Sequence, residues 1–350
     1  MSLAFLNIII YIIISFLLAN IIHELFHFFA LKLIGLDLYC LDAYPIKIYK
    51  NEGKYNIKID INLKEYMPGF VLPEVSMVRN ETDFNIKKNK IIFVALAGSV
   101  GSLVLGSVVI LIQNYYIPNL FIEVFAIMSI IIGILTLLFS DGIMAYRMYN
   151  GKVFAVSTLL YFNNILSNQK QDINEQNLFI YKYANDVCEE LNMEDKFFYN
   201  ISHNKNQINL QTYILYFALI NNFNDFSINI IKNMDKFIEN LPKIKYLNGN
   251  LFEYINVIII HMVIEENKLE EAKKIFELIR ISSTKRSFYQ KYIINRTKYF
   301  LGEISYSDAL RSMPKTFLVN HRVERVLFEQ FINSKKRRDK YYLENFKKRK

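Results

Sequence analysis

The sequence predicts a mainly α, polytopic membrane protein: a three-helix transmembrane core, a small β insertion at about 36–90, and a cytosolic all-α C-terminal domain. Three observations carry this. Apolar residues gather in long runs at about 3–34, 91–112 and 120–139, in a chain of 350 residues that is 52% hydrophobic. A strictly alternating stretch, YNIKIDINL, falls between the first two runs. After about residue 165 the sequence turns polar and helix pairs recur. The corresponding domains are 1–150 for the core, 151–167 for an interfacial connector, and 168–350 for the helical half with its basic tail.

The first run carries no charge before Glu24. As one helix it spans roughly 48 Å at 1.5 Å per residue. That exceeds a hydrocarbon core of about 30 Å, so the end near Lys32 emerges or the helix tilts. A secretory signal peptide is not expected, because no basic n-region precedes the run and no small-residue cleavage site ends it. The second run, IIFVALAGSVGSLVLGSVVILI, has the small residues Gly98, Ser99, Gly101 and Ser102 of a helix packed closely on its neighbours. The third, LFIEVFAIMSIIIGILTLLF, ends at Ser-Asp-Gly.

Between them, Tyr55, Ile57, Ile59, Ile61 and Leu63 fall on one face and predict a half-buried strand, with a hairpin turn around Gly53. Residues 153–166 are too short to span a bilayer and are expected at its interface. The later helix pairs turn near Asp225, Lys268 and Glu303; their uneven spacing leaves a tetratricopeptide-like repeat and an irregular helical bundle both open.

Nine lysines and arginines lie between residues 47 and 90, none lies in the 113–119 turn, and Arg147 and Lys152 follow the third run. The positive-inside rule then puts the N-terminus outside, and both the 36–90 segment and the C-terminal half in the cytoplasm. Abundant Ile, Asn, Lys and Tyr without Trp suggests an AT-rich, bacterial genome and hence a bacterial cell membrane. Much of the net charge of +9 sits in NSKKRRDKYYLENFKKRK at the C-terminus. This block reads equally as a solvated tail or as attraction to anionic lipid, with nucleic acid the less favoured partner. Two cysteines, Cys40 and Cys188, give no disulfide framework and argue against a Cys-based zinc site.

His23, Glu24 and His27 stand inside the first apolar run, where ionisable groups are functional by default. On a helix, residues i and i+4 share a face, so both imidazoles can hold one metal ion. Glu24, offset by about 100°, reaches the same region as a base for water activated there. This HExxH spacing calls for Zn2+ as cofactor, and a zinc site with an open catalytic position needs a third protein ligand. Asp141, which closes the third run at the same membrane side, is the candidate; capping of the next helix also suits it. Glu52 and Glu65 are rival third ligands. His203, His261 and His321 are scattered in the helical half and are assigned no metal role.

HExxH in a first span, small residues in a second, and Asp-Gly at the end of a third resemble the site-2 proteases, intramembrane zinc metalloproteases with a three-helix catalytic core. The resemblance covers about residues 1–150. It implies His23, His27 and Asp141 as metal ligands and Glu24 as catalytic base. Where that family has Gly-Pro-x-x-Asn, this chain has Gly98, Ser99 and Ser102. Where the family has Asn-x-x-Pro before Leu-Asp-Gly, the matching places are Gly133, Thr136 and Ser140.

The expected activity is zinc metalloendopeptidase hydrolysis of peptide bonds in membrane-embedded or membrane-associated peptides. The expected partners are membrane lipid, a peptide or transmembrane protein substrate, and a protein partner on the C-terminal helices. The alternative is a membrane-anchored helical adaptor or peptide-binding protein with a vestigial zinc site.

Overall fold

The computed structural model describes residues 3–51, 54–59, 69–116, 118–165, 178–190, 205–221, 249–264, 267–281 and 288–313, with isolated positions within 235–241 and 328–339. It is mainly helical and divides into two compact units, 1–155 and 156–350.

In the first unit, three helices are long and apolar enough to cross a membrane: Phe5–Leu33, Glu81–Tyr115 and Leu120–Asn150. Helix α1, Leu3–Leu33, is apolar all round, as a lipid-facing helix is. Its buried stripe is narrow and polar in part: Ser15, Ala19, Asn20, His23, Glu24, His27, Ala30 and Leu31.

A four-stranded antiparallel sheet follows, with β1 at Asp37–Ala43, β2 at Ile46–Asn51, β3 at Lys54–Ile59 and β4 at Phe70–Glu74, in the order β3-β2-β1-β4. Its register pairs Leu41 with Ile48, Ile48 with Ile57, and Asp42 with Phe70. The central strand β1 is buried on both faces; Leu38, Leu41 and Ala43 pack with Ala30, Leu31 and Val94. The alternating pattern does form a strand, but its apolar face is not half-buried within this unit. Ile57 and Ile59 are each 71% exposed, because β3 is the edge strand farthest from β4 and no element among the described residues of this unit covers it. Residues 61 and 63, and the turn at Gly53, lie outside the described residues.

Helix α2, Glu81–Tyr116, starts ten residues before its apolar run. Asn80 accepts from the Asp83 N–H at 2.8 Å, and Asp83 accepts from the Arg79 N–H at 2.9 Å, a reciprocal cap that lets polar first turns be helical. Helix α3, Leu120–Phe139, is capped by Asn119, whose Oδ1 accepts from the Phe121 and Ile122 N–H groups. It breaks at Ser140, and helix α4, Asp141–Asn150, begins at once. A Cβ at Gly142 would overlap the Leu137 carbonyl oxygen, so glycine is what allows a new helix to start there.

Helix α5, Lys152–Ile165, spans the boundary between the units and buries Ala155, Val156, Leu159, Leu160 and Phe162. The second unit continues with α6 (Phe179–Glu190), α7 (Lys205–Asn221), α8 (Gly249–Ile264), α9 (Leu269–Ile281), α10 (Phe288–Phe300) and α11 (Tyr306–Arg311). The expected turns near Lys268 and Glu303 join α8 to α9 and α10 to α11, whereas Asp225 lies outside the described residues. The paired helices are unequal, with 13 residues in α9 and six in α11. Buried polar ties fix them: Arg296 donates to Glu253 at 2.7 Å, Thr297 to Asn256 at 2.7 Å, and Tyr254 to Gln211 at 2.6 Å. Most of the basic tail, including 340–350, lies outside the described residues.

Candidate metal centre

Helical spacing brings His23 and His27 onto one face of α1, their rings edge to face with centroids 4.9 Å apart. Both are buried, at 2% and 6% exposure, and so is Glu24 at 3%. Helix α2 sets the outer nitrogen of each ring. Ser102 Oγ lies 3.0 Å from His23 Nδ1, and His27 Nδ1 donates to the Val94 carbonyl oxygen at 2.7 Å. The second contact fixes the tautomer of a neutral His27, since a carbonyl only accepts; its Nε2 is then a free lone pair.

Those inner nitrogens converge. His27 Nε2 and His23 Nε2 are 3.3 Å apart, and Asp141 Oδ2 lies 3.2 Å from His23 Nε2 and 3.4 Å from His27 Nε2. Helix α3 delivers Asp141 to this place and Ser99 on α2 holds it there, donating to Oδ2 at 2.9 Å. Thr136, one turn earlier on α3, shares the Ser99 hydroxyl at 2.8 Å and donates to the Ile132 carbonyl. The close approach of α2 requires a residue without a side chain at 98, since a Cβ there would overlap His27 Nε2.

Two imidazole nitrogens and a carboxylate oxygen, mutually 3.2–3.4 Å apart, match one face of a metal tetrahedron. Bonds of about 2.0–2.1 Å at tetrahedral angles put ligand atoms about 3.3–3.4 Å apart. The chemistry agrees with the geometry. A proton can relieve one contact among three acceptors, whereas a cation at their centre relieves all three. One ligand atom each from His23, Glu24 and His27 also lies within 4.8 Å of the others, close enough that the group could hold a metal ion. Of the two carboxylates, Asp141 lies within 3.4 Å of both ring nitrogens and is the nearer fit as third donor.

Glu24 is left beside the triangle. Its Oε2 has no hydrogen-bond partner among the described residues, and its other oxygen lies against Gly69, immediately before β4. An acceptor-only carboxylate next to a three-donor cradle is placed to take up a proton there.

The four sequence-predicted residues, His23, Glu24, His27 and Asp141, thus come together. His261 is buried in α8 and joins no metal-type cluster among the described residues. His203, His321, Glu52 and Glu65 lie outside the described residues. Sequence reasoning read Gly98, Ser99 and Ser102 as helix packing and as departures from the family's second-span motif; contact with the candidate ligands was signalled only by two hydroxyls spaced i, i+3 on the face that carries the glycines. No protein-family model, no curated protein and no solved structure matches this chain.

Proposed function

We propose that this chain is an intramembrane zinc metalloendopeptidase of the site-2-protease kind, cutting peptide bonds in membrane-embedded or membrane-associated peptides. The observation that carries the reading is the triangle of His23 Nε2, His27 Nε2 and Asp141 Oδ2 among membrane-length helices, with Glu24 beside it, whose Oε2 has no partner among the described residues. Two nitrogens and one oxygen, with a fourth position open, are a common donor set of catalytic zinc. When bound, zinc supplies Lewis acidity, lowering the pKa of water to about 7 and polarising a carbonyl.

The chain's own residues do the rest. His23, His27 and Asp141 hold the ion, and Ser102, the Val94 carbonyl and Ser99 fix their orientations, the outer partners on which metal sites depend. Glu24 takes the proton of the attacking water on its carboxylate and returns it to the leaving amine. The positions that depart from the family pattern, Ser99 and Ser102, hold two of the three ligands, which weighs against a vestigial site. The cytoplasmic helical half recruits the substrate or a partner protein, and the 36–90 segment shares its side of the membrane.

The test is metal content combined with cleavage. Wild type should purify with about one zinc per chain, and His23→Ala and His27→Ala should lose it. Glu24→Gln should keep the metal and lose cleavage of a peptide that wild type cuts. Full zinc occupancy in both histidine variants, or undiminished cleavage by Glu24→Gln, sinks the proposal.

A further inference from the structure

We propose that Asn20 is a further catalytic residue of this reaction, its side-chain amide donating a hydrogen bond to the carbonyl oxygen of the bond being cut. The inference rests on the peptidase reading.

Asn20 is buried on the same stripe of α1 as the candidate ligands, at 7% exposure, and its Nδ2 has no hydrogen-bond partner among the described residues. A buried amide N–H in a membrane-type helix is costly unless it is satisfied. The usual remedy is a bond back to the carbonyl four residues earlier. Other buried helical asparagines of this chain make that bond: Asn185 to Tyr181 and Asn256 to Phe252. Ser129 and Thr136, on α3, do the same with Phe125 and Ile132. Asn20 does not, so its donor is held free.

Its position gives the free donor a use. Asn20 precedes His23 by three residues and Glu24 by four, the two spacings that make helix neighbours, with Cβ atoms about 5–6 Å apart. Side chains on a helix lean toward the N-terminal turn, so His23 and Glu24 lean toward the turn of Asn20. The other polar groups at the centre are committed: the Nδ1 atoms to Ser102 and Val94, and the Ser99 hydroxyl to Asp141. Glu24 and Asp141 only accept when ionised. The amide of Asn20 is a buried side-chain N–H donor on this stripe of α1 with no partner among the described residues.

Amide hydrolysis creates a need for such a donor. As the water oxygen bonds to the carbonyl carbon, the π pair moves onto the carbonyl oxygen and the water's proton passes to Glu24. The C–N bond then breaks, the pair returns to form the carbonyl, and the amine leaves with the proton held by Glu24. A donor aimed at the oxygen stabilises the charge only while it is there, which lowers the barrier rather than tightening substrate binding.

The experiment uses the full chain in detergent as wild type, Asn20→Leu and Asn20→Ala. It measures metal content, thermal unfolding, cleavage of a fluorescence-quenched model transmembrane peptide, and inhibition by a phosphinic analogue of that peptide. Both variants should keep their metal, and Asn20→Leu should unfold no earlier than wild type, since an apolar side chain replaces an unsatisfied amide. Their kcat should fall about 10²–10³-fold, the loss seen when one oxyanion donor is removed. KM should stay within about threefold, while the tetrahedral phosphinic analogue binds at least about tenfold more weakly. Wild-type kcat in either variant overturns the role of Asn20 and leaves the peptidase reading standing. So does loss of metal in both variants, which would make Asn20 a packing residue. A wild type that holds metal yet neither cuts the peptide nor binds the analogue overturns both.

Discussion

Adding one methyl group at Gly98 tests how the second helix governs the proposed zinc centre. In Gly98→Ala the new Cβ overlaps Nε2, Cε1 and Cδ2 of the His27 ring. The ring cannot simply swing aside, because its Nδ1 is held by the Val94 carbonyl at 2.7 Å. Either α2 backs away from α1 or His27 gives up that bond and leaves the triangle. Overpacking of this kind destabilises by about 1–3 kcal/mol, and the lost hydrogen bond by roughly 0.5–1.5 kcal/mol. Losing the outer partner of one ligand lowers metal affinity about 10–100-fold, or about 1.4–2.7 kcal/mol. Gly101→Ala is the internal control: its Cβ meets the Phe26 ring, which ligates nothing, so it shares the packing penalty without the metal penalty. Titration of both variants with a competing zinc chelator, alongside their thermal unfolding, separates the two terms. Gly98→Ala should release zinc at about 10–100-fold lower chelator strength than Gly101→Ala. Equal zinc affinity in the two, with equal unfolding temperatures, would refute the claim that contact with α2 fixes His27.

Ser99→Ala removes the 2.9 Å hydrogen bond that steadies Asp141 and should weaken metal binding about 10–100-fold in the same titration, without unfolding the chain. Reporter fusions after residues 80 and 200 should report the same side of the membrane, as the distribution of basic residues requires; opposite sides would overturn the topology. Truncation near residue 168 should leave zinc bound but slow cleavage of the natural substrate, and loss of zinc from a folded core would contradict this division of labour. Burial pushes the Cys188 thiol up to about 12, helped by the neighbouring Glu189 charge. Iodoacetamide at pH 8 should therefore modify Cys188 only as the second unit unfolds, read by mass spectrometry along a denaturant series; rapid labelling of the native protein would contradict its burial.

The parts of this molecule that follow from local rules were legible in its sequence. The membrane-length helices are apolar runs, and His23 and His27 share a face because four residues make about one turn. What stayed hidden depends on partners distant in the chain. Ser102 meets His23 across 79 residues and Ser99 meets Asp141 across 42, and a serine among glycines gives the same signal whether it packs or holds a ligand. The start of α2 was misjudged because hydropathy reports where a helix enters lipid, whereas the Asn80–Asp83 cap decides where it begins. Alternation located β3 yet not its burial, since period two distinguishes the faces of a strand without saying whether anything lies against them. Asn20 was readable as an asparagine near a motif; only its missing bond sets it apart from Asn185 and Asn256.

The break at Ser140 makes Asp141 the first residue of a new helix at the end of an unbroken 20-residue one. Its bearing is therefore a matter of counting. Each residue inserted into or deleted from Leu120–Phe139 turns the carboxylate by about 100° around the α3 axis and moves it about 1.5 Å along it. A single change of length would thus aim Asp141 away from the histidines, and a neighbouring side chain could not restore it, because Gly142 must follow at the same step to clear the Leu137 carbonyl. Length changes close to whole turns, such as about seven or eleven residues, bring the direction back, and they shift the depth by about 10 or 16 Å. The number of residues between Asn119 and Asp141 therefore sets where this carboxylate points.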